Sequence, residues 1–409
     1  MNVFRLSHII HRTQVQHVRQ SVRIAAGAAV CFPSYSAANT TAYIKGTREY
    51  STKTHAEHIT PEEPYINWGM SCSYFTRKLD AAFKFYPFQY EFKSKTLRQT
   101  NRLEKESGTH RIPVVQTSQG KLMADTTVIM DHLDTILVKE GMPDRQMYGN
   151  NMNGVVIHVL EEYFDEWFPR HALLWRWTDE ETTVYNQKKM GKELLPAFWE
   201  MPFRGFVGKK ISRWGVRAMR ATGLEFKQQQ LDGREESLRV FAMMDKQLRQ
   251  TPFLLGHHPC AVDCVVLGGM WGHFANDPAP KKALKEAGLD RLLEWGDENY
   301  QHPPPEEWRP LTKPQDAIFA CDLLTEMTEG PFREWTLLNM AALSRSEKSF
   351  TMRCYSSETS FLARSESEKA RRRIRDRVRG LRGFSAEEHK KTVDWLDSWG
   401  LLELYGGNE

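Results

Sequence analysis

The chain has 409 residues, 40% of them hydrophobic, with 12 Trp and 21 Phe, enough apolar mass for more than one core. Its six cysteines are scattered without a CxxC pair, which argues against a disulfide framework and fits a reducing compartment. The formal net charge of +4 is local: residues 1–50 hold six cations against Glu49 alone, so the rest of the chain is near neutral and a global nucleic-acid footprint is excluded.

Residues 1–50 have the composition of a mitochondrial presequence, with Arg5, Arg12, Arg19 and Arg23 set among Ser, Thr and small apolar residues. Arg48-Glu49-Tyr50-Ser51 resembles a matrix-protease cleavage pattern and places the mature start near Ser51 or Thr52. Residues 24–32 offer a secretory-type apolar run, but the basic region before it is too long and too charged. A disordered tail is the third reading. No run approaches the ~20 apolar residues of a membrane-spanning helix.

Tyr65-Ile66-Asn67-Trp68 reads as a short strand, and Gly69 to Ser73 as the loop into a helix with Leu79, Ala82 and Phe83 at helical spacing. Pro87 ends that helix, and Gln89-Tyr90-Glu91-Phe92 alternates as a strand. A proline then opens the apolar strand Ile112-Pro113-Val114-Val115, Ser118-Gln119-Gly120 reverses it, and a second short strand runs into Asp125-Thr126. The spacing of Val128, Ile129, His132 and Leu133 predicts an amphipathic helix starting at that pair. Asp125 and Thr126 are ordinary caps, and a helix N-terminus also collects free N–H groups that suit a carboxylate-bearing ligand.

A βαβ unit followed by a β-hairpin and a helix resembles the thioredoxin-like domain of glutathione transferases. The resemblance runs over roughly residues 64–300 and includes Gly108-Thr109-His110-Arg111-Ile112-Pro113, Asp165-Glu166-Trp167 and Asp277-Pro278. It implies a cis Ile112-Pro113 bond and glutathione as co-substrate, bound by Arg111, Ile112, Pro113, Asp125 and Thr126. It also implies that a residue in the row Ser71, Cys72, Ser73, Tyr74 meets the glutathione sulfur at the first helix N-terminus. Counting from Ser73 puts Lys78, Leu79, Ala81, Ala82 and Phe83 in the family's phase; counting from Cys72 puts Lys78 and Asp80 where apolar residues belong. Ser73 leads, with Cys72 as the rival and Tyr74 replacing the family's following proline. Serine would hold a thiolate for conjugation, whereas cysteine would itself attack and run thiol transfer.

Beyond Pro143 the pattern is helical, and the resemblance makes Tyr163, Trp167, Arg170 and Trp175 candidates for an acceptor pocket, with ordinary interhelix core as the alternative. Leu254-Leu255-Gly256-His257-His258-Pro259-Cys260-Ala261-Val262-Asp263 resembles the motif that caps the family's central helix, with Asp263 structural and buried. Cys260 replaces the capping hydroxyl, which predicts a weaker cap. The adjacent His257 and His258 with Cys260 and Cys264 give poor geometry for one metal ion, so no metal is expected. The segment 204–223 is basic with apolar residues and reads as a loop-helix over the site mouth.

From Pro303 the resemblance ends. Residues 316–338 and 385–402 read as helices, with Ser385-Ala386-Glu387-Glu388 as a capping box. The basic run 369–379 reads as a solvated helix face with Ile374, Val378 and Leu381 inward, or as a site for anionic lipid or nucleic acid. The predicted organisation is a presequence-like segment (1–50), an α/β thioredoxin-like domain (64–140), an all-α glutathione transferase C-terminal-like domain (150–300) and a helical C-terminal extension (301–409). The implied function is transfer of the glutathione thiolate to a small apolar electrophile, with a homodimer usual for the fold. The alternatives are a Cys-type thiol transferase and a non-catalytic mitochondrial adaptor of metaxin type.

Overall fold

A computed structural model describes residues 64–406. The presequence reading and its cleavage point lie outside the described residues. β1 (Tyr65–Gly69) pairs in parallel with β2 (Tyr90–Ser94) and antiparallel with β3 (Val114–Gln116), which pairs antiparallel with β4 (Leu122–Ala124). The strand order is β2-β1-β3-β4. α1 (Tyr74–Phe85) links β1 to β2, α2 (Leu97–Ser107) links β2 to β3, and α3 (Thr126–Lys139) follows β4. This is the thioredoxin-like arrangement, and the Ile112-Pro113 peptide is cis.

α1 is buried nearly all round because it is covered on two sides. Leu79, Ala82 and Phe83 pack in the core, and the backbone approaches a central helix so closely that a Cβ at Gly268 would lie 2.4 Å from the Lys78 amide nitrogen. Only glycine permits that approach. Lys78, entirely buried, is offset by Glu161 and Asp165, each 2.7 Å from its ammonium. Asp165 also accepts from the Thr127 hydroxyl at 3.1 Å, so one buried ionic cluster ties α1 and α3 to the helical part.

That part begins with α4 (Met152–Glu162), which passes through a π turn (Tyr163–Trp167) into α5 (Pro169–Trp177). α6 (Glu180–Leu194), α7 (Met201–Ala221) and α8 (Lys227–Leu248) follow, then the central α9 (Ala261–Gly269), α10 (Pro278–Glu286) and α11 (Asp290–Trp295). Asp263 accepts from the Leu254 amide at 2.8 Å and the Cys260 amide at 2.9 Å, with the Cys260 thiol at 3.2 Å. The backbone donors carry this cap, so the thiol needs to add little.

The extension contains α12 (Ile318–Glu329), α13 (Pro331–Ser344), α14 (Ser365–Phe384), α15 (Ala386–Ser398) and α16 (Leu402–Tyr405). Between α13 and α14 lies a hairpin that the sequence reading lacked, β5 (Ser349–Cys354) and β6 (Ser357–Leu362). Phe350, Met352 and Cys354 alternate inward, and Phe361 reaches Trp167 with ring centres 5.9 Å apart. The main apolar core runs from the sheet through the helical part into the extension, beside two smaller clusters around Cys72 and Trp68.

Candidate functional site

One end of the candidate site is the start of α3. Asp125 caps the helix from a left-handed backbone (φ 74°), with Oδ1 accepting from the Val128 amide at 3.4 Å. A non-glycine residue there is strained, and such strain clusters at functional positions. Thr126 is buried at the same terminus. Beside it, no hydrogen bond within the described residues takes up the amide or carbonyl of Ile112, so that peptide is open to an extended ligand. The structure therefore brings Ile112, Pro113, Asp125 and Thr126 to one end of the sheet through the β3–β4 hairpin.

A partner that no spacing foretold lies there too. Arg373 of α14 donates to Asp125 Oδ2 at 2.5 Å. Glu366 of the same helix lies 3.5 Å from Arg111, and Arg377 pairs with Asp131 on α3. The basic run is therefore not simply a solvated face: Ile374, Val378 and Leu381 are buried as the spacing requires, and Arg373 and Arg377 reach acids of the thioredoxin-like part. Internal matching of Arg373 and Arg377 speaks against the lipid or nucleic-acid reading of this run.

At the α1 terminus the four candidates separate. Ser73 is the N-cap, its hydroxyl oxygen accepting from the Thr76 amide at 3.3 Å, which leaves its proton free to donate. Ser71 donates both its amide (2.7 Å) and its hydroxyl (2.8 Å) to Glu193 of α6, which also receives the Ser94 hydroxyl. Tyr74 is buried, and burial drives its phenol well above the usual range. Cys72 is 2% exposed in an apolar cluster with Leu174, Trp177 and Met190. Burial pushes its thiol up to about 11, with the Arg176 charge pulling partly the other way. An enclosed thiol whose pKa is raised by burial is a poor nucleophile, which speaks for Ser73 over Cys72 at this terminus.

The loop is held from the helical part. Arg176 donates to the Cys72 carbonyl at 2.7 Å, to Asp277 at 2.7 Å and to the Gly272 carbonyl, while Asn186 donates to the other Asp277 oxygen at 3.0 Å. Arg176, Glu193 and Arg373 were all missed by sequence reasoning. Their partners lie about a hundred residues away or more, and local periodicity does not report such pairs.

The acceptor-pocket candidates are corrected. Tyr163 (3.1 Å) and Trp167 (2.5 Å) donate to Glu236, and Arg170 pairs with the same carboxylate while stacking 3.7 Å from the Trp167 ring centre. Burial alone would raise Glu236, but Arg170 and His171 hold it far below the usual carboxylate range. Trp175 donates to Ser237 at 3.0 Å. All four are buried core around α8 and form no open wall, because a buried carboxylate must recruit every nearby donor. The sequence held one signal for this: Glu236 falls on the apolar phase of α8 with Gly233, Val240 and Met244.

No protein-family model and no curated protein matches the chain. Among solved structures it resembles Gtt2 from Saccharomyces cerevisiae at 15% identity, over 58% of this chain and 97% of that one, with a TM-score of 0.38. It also resembles a glutathione S-transferase from Rhodospirillum rubrum (14%, 58% and 96%, 0.36) and the β-etherase LigF from Sphingobium sp. (14%, 60% and 98%, 0.39). Superpositions this loose add nothing to the assignment, which rests on strand order and element sequence. On those grounds the chain has a thioredoxin-like part followed by an all-helical part.

Proposed function

We propose that this chain binds glutathione and presents its thiolate to a small apolar electrophile. The observation that supports the reading best is the open Ile112 peptide beside the capped start of α3. An extended tripeptide would pair with Ile112 and place its ammonium on Asp125, with its glutamyl carboxylate at the Thr126 end of the helix. Ser73 would donate a hydrogen bond to the sulfur and lower the thiol pKa. The arginine-rich, acid-poor residues 1–50 support a mitochondrial location within the same proposal.

Titration calorimetry with glutathione tests it. Asp125→Ala should weaken binding about tenfold or more, since a charge-assisted hydrogen bond is worth roughly 1.5–3 kcal/mol. Ser73→Ala should lose most conjugation of a generic electrophile, whereas Cys72→Ala should keep it. A second reading, a non-catalytic adaptor, is favoured by one observation: Arg373 already engages Asp125. Absence of binding heat with the folded wild type would select that reading.

A further inference from the structure

α7 is an amphipathic helix whose bulky side is turned outward. Gly208, Ser212, Gly215 and Met219 form its buried stripe. The close packing requires small residues there: a Cβ at Gly208 would sit 2.1 Å from the Gln187 carbonyl oxygen, and one at Gly215 would sit 2.4 Å from the Trp177 ring. The opposite side and the turn before it carry Phe198 at 84% and Phe206 at 71% exposure, with Trp199, Met201, Phe203 and Trp214 all more than half exposed. So many large apolar side chains close in sequence and open to water are rare on a protein surface.

The charge on this helix points to what covers them. α7 has no acidic residue. Arg204 is used internally, donating to the carbonyls of Leu195, Pro196 and Ala197. Among the described residues, Lys209, Lys210, Arg213, Arg217 and Arg220 have no ion-pair partner. Aromatic side chains interleaved with unmatched cations on one helical face complement a surface that is apolar a few ångströms down and negative at its boundary. No described helix is long and apolar enough to cross a membrane, so the contact would lie in the interfacial plane.

We propose that α7 and the turn preceding it dock on an anionic phospholipid bilayer. The test is co-sedimentation of the full-length protein with vesicles of phosphatidylcholine containing about 30% phosphatidylglycerol, against phosphatidylcholine alone. Binding is expected only with the anionic lipid. It should fall sharply between about 0.1 M and 1 M salt, where the screening length drops from ~10 to ~3 Å. Lys209→Ala with Lys210→Ala should weaken partitioning about twenty-five-fold, at roughly fivefold per charge. Phe203→Ser with Phe206→Ser should weaken it more than about tenfold. These side chains are on the open face, so circular dichroism should report an unchanged fold.

Wild-type partitioning by both double variants would place binding elsewhere, for instance in residues 1–50, and overturn the proposal. Equal, salt-insensitive binding to neutral vesicles would also overturn it. So would failure to bind either vesicle together with a concentration-dependent dimer that Phe203→Ser with Phe206→Ser abolishes, since the face would then be an interface between copies of the chain.

Discussion

Helix α7 carries six cations and no acid in 21 residues, and α14 carries eight cations and three acids in 20. By composition both are basic amphipathic helices. In α14, Arg371 and Arg372 share Glu368, Arg373 meets Asp125 and Arg377 meets Asp131, while Arg364 just before the helix meets Glu166. In α7 the outward cations have no such partners among the described residues. A basic run therefore has no meaning until its counter-charges are located. Where the fold supplies them, the run is an internal latch; where it does not, the run is a surface seeking one.

The comparison breaks most directly through stability. Arg371 is buried, donating at 2.8 and 2.9 Å to the two Glu368 oxygens and also to the Leu404 carbonyl. Arg371→Ala leaves a buried carboxylate and carbonyl short of a partner and should cost about 3 kcal/mol in urea unfolding. Lys209→Ala in α7 should change stability by less than about 0.5 kcal/mol in the same measurement. Similar small losses for both would mean that the ion pairs of α14 do not hold the extension in place.

A buried carboxyl under the extension gives the fold a pH dependence. Burial pushes the Glu162 carboxyl up to about 8, partly offset by the Tyr405 hydroxyl donating to it at 2.5 Å. The unfolded value is ~4.3, so the folded state keeps a proton that the unfolded state releases. The contribution of this group is most favourable below pH ~4.3 and is lost as pH rises to about 8. Glu162→Gln removes the dependence. Its stability relative to wild type should rise by something on the order of 4 kcal/mol between about pH 4.5 and pH 8.5, read from thermal or urea unfolding. A pH-independent difference would show that Glu162 is charged in the folded protein.

What was legible before the structure follows from range. The strand, proline, hairpin and helix run between Arg111 and Leu133 is written in contiguous residues, so turn chemistry and periodicity revealed it. Asp263 was legible because its motif and its partners Leu254 and Cys260 lie within ten residues. The β5–β6 hairpin was readable in principle, since Phe350, Met352 and Cys354 alternate strictly before a Tyr355-Ser356 turn. The acceptor pocket failed for a physical reason: aromatic residues at helical spacing look the same whether they face a cavity or another helix. Only Glu236, an acid on an apolar stripe, could have said that donors would be drawn inward. The Arg373–Asp125 pair spans 248 residues, and no local pattern encodes it.

That pair supplies the smallest and most discriminating test. Both side chains remain about a third or more exposed, so the ion pair itself is worth only ~0–1 kcal/mol. Under the proposed function, Arg373 and the glutathione ammonium compete for the same Asp125 carboxylate. Removing the arginine should therefore tighten binding: Arg373→Ala should raise glutathione affinity about two- to fivefold by calorimetry, the range such a weak pair allows. Weaker binding in that variant would mean that the guanidinium instead receives a ligand carboxylate, making α14 a wall of the site. An unchanged constant would mean that Arg373 swings clear without competing. The first outcome makes α14 a latch that a ligand must displace, which sets it furthest apart from α7, whose cations have nothing within the described protein to let go.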